Sequence, residues 1–444
     1  MPRQRAQHRR KLTRRGLWLA ALLATAGGRA AVAGAQSETY SLEVRGAGFK
    51  RFSIQIPEAG VDASAAGSGR DIAAARETLA RDLIYSGYFF VMDQNSSPYL
   101  PQGVSRAWNA ANERPQERPH RVEASWKGAG SGLAVDLRLV DGAGQQIVGK
   151  RYQIGDAGPR PAMHHFADQI VKALTGERGI AQTKIAFARM SGRNSEICSV
   201  DYDGFGDKAL TAQRALTLSP CWGTGRQWIA FTSYAEGQPW LYRLDQGAQR
   251  LRPVSQSPGL NTTPDWSGAR AEFALTLTRD GNAEIYRMDR DGRGAQRLTH
   301  HPAIDTSPAW SPGGQQIAFT SDRSGVPQIY VMDADGGNVR RLTKHGLYSD
   351  SPAWSPDGQW IVYVSRADGE FQLRVGKTDG TDERVVVRDG QNDSPSWAND
   401  SRHIAFASRR GGARAVYVVD LYSGLERRLT SGSQEAITPA WSME

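Results

Sequence analysis

The sequence predicts a small α/β N-terminal domain followed by an all-β six-bladed β-propeller that its C-terminal strand closes. Two observations carry this. Trp222, Trp266, Trp310, Trp354, Trp397 and Trp441 are spaced by 44, 44, 44, 43 and 44 residues, and a period of this length built from short strands marks propeller blades rather than helical solenoids. The repeat is also incomplete at both ends, and the two fragments complement each other.

The chain starts with a basic stretch and the apolar run "GLWLAALLATA", followed by small residues at Ala31-Val32-Ala33 and Ala33-Gly34-Ala35. That order is the pattern of an export signal, and the run is too short for an ordinary spanning helix. Residues 1–35 are expected to be removed. Arg14 and Arg15 fit a twin-arginine signal or a general secretory one. The mature product is expected to be soluble, exported and not membrane-spanning.

Most of the formal charge of +9 resides in this segment. Residues 1–35 hold eight basic side chains and no acid, which leaves 47 basic against 46 acidic residues in the remainder. A nucleic-acid partner therefore has no support in the mature charge balance.

Residues 36–178 show no repeat and form the expected α/β domain, with 36–48 as a mobile mature N-terminus. "RETLARDLIYSG" (76–87) has helical apolar spacing and a glycine stop. "YFFVM" is a strand, "RVEASWKG" and the stretch turning at Asp141-Gly142 are antiparallel strands, and "PAMHHFADQIVKALTG" is a closing helix with Pro161 at its start.

The propeller is expected over 183–444. Each unit opens with Pro-x-Trp, turns at "SPGG" or "SPDG", and continues through runs such as "QIAFTS" and "QIYVMD". Alternating apolar positions give the strand period, and Gly, Pro and Asp mark the turns. Trp441 lies three residues from the end, so its unit has a first strand only. "KIAFAR" and "EICSVD" near residue 190 supply later strands without a tryptophan strand. Joining the two closes a ring of six and protects the strand edges.

Most conspicuous residues are explained by architecture. One tryptophan per blade fills the wedge between sheets. Asp-x-Asp-Gly at 201–204, 289–292 and 333–336 lacks the glycine and glutamate spacing of a calcium loop and suits hairpin turns. Cys198 and Cys221 fit one disulfide or two packed thiols, and no histidines stand at zinc-ligand spacing. No metal site or cofactor is expected. A Gly-x-Ser-x-Gly elbow and a phosphate-binding glycine loop are both missing from the sequence.

The segments ahead of the tryptophans carry more information. They contain Leu260, Asn261, Thr262 and Thr263; Asp305, Thr306 and Ser307; Ser349, Asp350 and Ser351; and Asn392 and Asp393. Each joins the outer strand of one blade to the inner strand of the next, so all are expected around one mouth of the channel. They could form a binding rim, cap free strand amides, or do both. His301 and His345 occupy equivalent loop positions. Rival readings are an exported propeller enzyme, such as a metal-dependent lactonase or glycan lyase using Asp305, Asp350 and Asp393, and a peptidoglycan-binding module.

Export segment, α/β domain and six units of the type Pro-x-Trp-Ser-Pro-Asp-Gly-x-x-Ile-Ala-Phe-Thr-Ser together resemble the TolB family, the periplasmic propeller proteins of the Tol–Pal system. The resemblance covers essentially the whole mature chain. It implies a monomeric, non-enzymatic scaffold of the periplasm that supports outer-membrane integrity and constriction during cell division. It further implies that the Pal lipoprotein binds the propeller mouth, at Leu260, Asn261, Thr262, Thr263, Thr306 and Ser307. TolA would engage the mature N-terminus, at Ser37, Glu38, Thr39, Tyr40, Leu42 and Val44. The blade after Trp222 departs from the pattern with "WGTGRQWIAF", and the Trp397 blade with "WANDS".

Overall fold

The computed structural model describes residues 51–109, 118–129, 132–344, 348–367 and 369–443. The export segment, the expected TolA contacts Ser37, Glu38, Thr39, Tyr40, Leu42 and Val44, and His345 lie outside the described residues.

The N-terminal domain comprises β1 (Phe52–Gln55), β2 (Gly60–Val61), α1 (Gly69–Tyr85), β3 (Phe89–Met92), β4 (His120–Ala129), β5 (Gly132–Val140), β6 (Gln146–Ile154) and α2 (Arg160–Thr175). The sheet runs β3-β1-β4-β5-β6, with β2 beside β4. β1 is parallel to β3 and β4, whereas β4, β5 and β6 are antiparallel. Val122, Trp126, Val135 and Leu137 share one apolar core with Leu79 and Leu83 of α1 and Phe166 and Ile170 of α2. Helix α1 starts seven residues earlier than its apolar spacing suggests. Those first residues, from Gly69 to Ala75, are mostly exposed and so carry no stripe to read. Helix α2 stops at Gly176, whose φ of 78° is left-handed.

The propeller is six four-stranded antiparallel sheets. The inner strands of blades 1 to 6 are Thr217–Trp222, Asn261–Ser267, Asp305–Trp310, Ser349–Trp354, Gln391–Trp397 and Ala436–Trp441. In blade 6 this last strand pairs antiparallel with Lys184–Ser191, which continues to Asn194–Asp201 and Lys208–Ala209. Ring closure by the C-terminal strand is thus observed. The second strand of each blade places Phe187, Phe231, Phe273, Phe319, Tyr363 or Phe406 out of solvent between the sheets. The Asp-x-Asp-Gly segments are turns: Asp289 Oδ1 accepts from the amides of Asp291 at 2.9 Å and Arg293 at 2.8 Å. Cys198 and Cys221 are buried, unpaired thiols.

A buried joint connects the two domains. Asp82 of α1 accepts from Tyr202 Oη of the propeller at 2.6 Å and pairs with His164 Nδ1 of α2 at 2.7 Å. Arg160 reaches both oxygens of Asp203 at 3.1 Å. Removing carboxylates from water is costly unless they are this fully bonded, so the joint holds one arrangement.

Candidate functional site

Each inner strand contains a bulge. Pairing with the second strand is regular for its first residues, slips, and resumes at Pro-x-Trp; in blade 3 the slip lies between Thr306 and Ala309. The residue before each proline is left-handed: Ser219, Thr263, Ser307, Ser351, Ser394 and Thr438 have φ between 48° and 55°. Non-glycine residues visit this region rarely. A bulge re-aims the strand and its side chains, and six in register place a hydroxyl-bearing residue at the same level of the channel in every blade. Ser219 N donates to Thr438 Oγ1 at 3.3 Å where blade 1 meets blade 6, and Thr263 Oγ1 bonds Thr276 Oγ1 at 2.8 Å.

The channel has two unlike ends. The predicted rim starts the inner strands at one end, and much of it is built into the wall. Asp305 is completely buried and accepts from Arg323 Nη2 at 2.8 Å. Asn261 is buried and bonds Ser255, Ser257 and Gly259. Ser349 and Asn392 are buried, and the Asn392 amide donates to Phe371 O at 2.8 Å. Thr262 and Thr306 are nearly closed off. Asp350 is held by Tyr348 Oη at 2.8 Å and Thr320 Oγ1 at 2.7 Å. Bonds to neighbouring loop and strand atoms thus hold Asn261, Asp305 and Asn392 in the wall. Leu260, Thr263, Ser307, Asp350, Ser351 and Asp393 keep exposed surface. His301 Nδ1 accepts from the amide of Ala303 at 3.0 Å, a local loop bond.

The cavity opens at the other end, where inner strands turn into second strands. It measures about 580 Å³, a volume typical of small-molecule sites. Of the twelve predicted rim residues only Thr263, Ser307 and Ser351 reach its wall. Six proline rings (Pro220, Pro264, Pro308, Pro352, Pro395 and Pro439) and the six repeat tryptophans also line it. The tryptophans also tie blade to blade: Trp397 Nε1 donates to Ala353 O at 3.1 Å, and Trp222 Nε1 to Ala440 O at 3.0 Å.

Charge enters this cavity on one side. Among the described residues its wall carries Arg178, Arg226 and Asp265 as charged side chains. Asp265 fills the central position of Pro-x-Trp, where blades 3, 4 and 6 have alanine. Its Oδ2 accepts from the amide of Trp310 in the next blade at 2.6 Å. Burial pushes its carboxyl up to about 6, against the downward pull of the Trp310 and Trp266 amides. Arg226 Nη1 donates to Gln182 O at 2.7 Å, tying the first blade to the interdomain linker. Sequence reasoning missed these residues. Their signal is departure from the repeat, since "GTGR" replaces Ser-Pro-x-Gly in blade 1 and an acid replaces alanine in blade 2. Among the described residues there is no group of three side chains able to ligate a metal.

A family model described as the TolB beta propeller domain matches residues 171–444. The "Tol-Pal system protein TolB" of Desulfosudis oleivorans is 33% identical over 185 residues, 41% of this chain and 41% of that one. The protein of the same name from Anaeromyxobacter dehalogenans is 34% identical over 254 residues, 54% of this chain and 55% of that one. The alignments thus span about half the length of these curated relatives, or less. The crystal structure of TolB from Acinetobacter baumannii is similar across both domains. It is 26% identical with a TM-score of 0.76, covering 88% of this chain and 96% of that one.

Proposed function

The chain belongs to the TolB β-propeller family, and on that premise we propose that it is the propeller component of a Tol–Pal system, working in the periplasm as a protein-binding scaffold and not as an enzyme. The observation that carries this reading is the likeness to a TolB crystal structure over both domains, with 96% of that structure covered. Residues 1–35 direct export. Pal docks on the half-exposed part of the rim, Leu260, Thr263, Ser307, Asp350, Ser351 and Asp393. Asn261, Thr262, Asp305, Thr306, Ser349 and Asn392 hold the loops beneath it. The segment 36–48 takes TolA, and the two contacts together link the envelope layers during constriction.

The supporting chemistry is modest and specific. A ring of short polar side chains around one leucine offers shape and hydrogen bonds to a folded domain without strong net charge. The experiment is capture of purified Pal by the mature protein. Leu260→Glu should weaken capture at least roughly tenfold, about 1.4 kcal/mol, with an unchanged melting temperature, and Asp350→Lys should weaken it as much with a lower melting temperature, because Tyr348 Oη and Thr320 Oγ1 lose their acceptor. Deleting 36–48 should leave Pal capture intact and abolish TolA capture. Full Pal binding by both rim variants would remove the rim from the mechanism.

A further inference from the structure

The geometry points to a second binding site, in the channel cavity beside blades 1 and 2, for a small saccharide that carries a carboxylate. The site lies at the end of the channel opposite the predicted rim and does not rest on the Pal reading.

The six-fold repeat itself is the baseline from which this follows. In blades 3 to 6 the tryptophans are at most 7% exposed, and alanine or serine stands ahead of them. Blades 1 and 2 differ in several ways at once. Trp222 and Trp266 are half-buried and keep surface toward the cavity. Asp265 replaces alanine on the wall between them. The turn of blade 1 has Thr224 in place of the proline and Arg226 in place of the closing glycine, and Arg178 of the linker stands at the same opening. Arg178 is exposed and makes no ion pair among the described residues. Closing a ring requires none of these changes, and together they give the cavity a polar, cationic side.

Each difference matches one part of such a ligand. An indole face packs against the C–H face of a sugar ring. A guanidinium holds a carboxylate by paired N–H donors. Asp265 offers an acceptor for a sugar hydroxyl, and the ring of Ser219, Thr263, Ser307, Ser351, Ser394 and Thr438 supplies further hydroxyl partners deeper in the channel. The prolines between them are smooth apolar wall. The volume of about 580 Å³ is enough for one or two sugar rings.

The test is titration of the mature protein with digalacturonate, N-acetylmuramic acid and the uncharged disaccharide cellobiose, followed by tryptophan fluorescence and ligand-observed NMR. One or both acidic sugars should bind, and which of them does separates a uronic from a muramic source. Cellobiose should bind at least about tenfold more weakly. Arg178→Glu, which breaks no bond to the linker, should weaken the acidic sugar at least about tenfold with an unchanged melting temperature and Pal capture. The double variant Arg178→Glu/Arg226→Glu should lose the sugar altogether, at a lower melting temperature because the Arg226 bond to Gln182 O is gone. Equal binding of cellobiose, undiminished binding by either arginine variant, or no saturable signal up to about 10 mM would each overturn the assignment.

Discussion

Arg402 Nη2 donates to the backbone carbonyl of Gly87, 315 residues earlier in the chain, at 3.0 Å, while the same nitrogen holds Asp420 at 2.7 Å. Arg402 sits in the turn after the inner strand of blade 5, and Gly87 follows the end of α1. One guanidinium therefore satisfies a buried carboxylate of the propeller and a helix-end carbonyl of the other domain. Tyr88 lies under the same guanidinium, with the charge 4.5 Å from the ring centre.

Gly87 tests that joint directly. Its φ is +75°, and a Cβ there would stand 2.4 Å from Arg402 Nη2 and 2.6 Å from Asp420 Oδ2. Gly87→Ala should destabilise the protein by about 3 kcal/mol, combining left-handed strain with displacement of a bonded guanidinium. Gly144, at φ +84° with nothing within 4 Å, isolates the first term; Gly144→Ala should cost about 1 kcal/mol. Denaturant titration of both variants gives the comparison, and equal losses would mean that the close approach carries no energy.

Asp420 makes the joint acid-sensitive. Burial pushes its carboxyl up, but the charges of Arg402 and His403 and the bonds from Arg402 and the Tyr422 amide outweigh this and hold it at about 2. A carboxyl depressed on folding contributes stability above its unfolded value near 4, and that contribution is lost as the pH falls from about 4 to about 2. Thermal unfolding across that window should show a decline that Asp420→Asn largely removes, from a lower starting stability.

Asp265 should have the opposite sign. Its folded value of about 6 lies above the ordinary carboxyl range, so its contribution is complete below about 4 and is lost as the pH rises through 6. Its surface faces the cavity, which hydrates part of the charge and moderates the effect. Asp265→Asn keeps an oxygen for the Trp310 amide. Its melting temperature should gain on the native protein between pH 4 and pH 6 and stay level above; a constant offset across that range would contradict the shift.

These residues also show what the sequence can and cannot convey. The blades are legible because packing demands the same side chains at each turn of the ring: Pro-x-Trp on the inner strand and an aromatic such as Phe319 or Phe406 on the second. Closure is legible because Trp441 lacks the strands that follow it and Ile185 lacks the strand that precedes it. The channel is harder. Asp305 and Ser307 are two residues apart in the same polar run, yet one is sealed against Arg323 and the other lines the cavity. A bulge separates them, and no pattern of period two announces a bulge. Arg178, Arg226 and Asp265 meet only when the linker and the first two blades come together. In the one-dimensional chain they are lapses in a repeat.

Ring closure itself can be tested at Trp441. This residue is 3% exposed, and its Nε1 donates to Thr183 Oγ1 at 2.8 Å while its amide donates to Ser396 Oγ of blade 5 at 2.9 Å. Trp441 thus bonds the blade before it and the start of the chain segment it closes upon. Trp441→Ala should cost about 3–5 kcal/mol, the range for truncating a large buried aromatic. Deleting residues 436–444 should do more, because Lys184–Ser191 would become an uncovered strand edge and the contacts of blade 6's inner strand with blades 5 and 1 would be lost. Limited proteolysis should then cut first within 184–215, and the truncated protein should self-associate. A truncated protein that stays monomeric and equally resistant would show that the ring holds without its C-terminal strand.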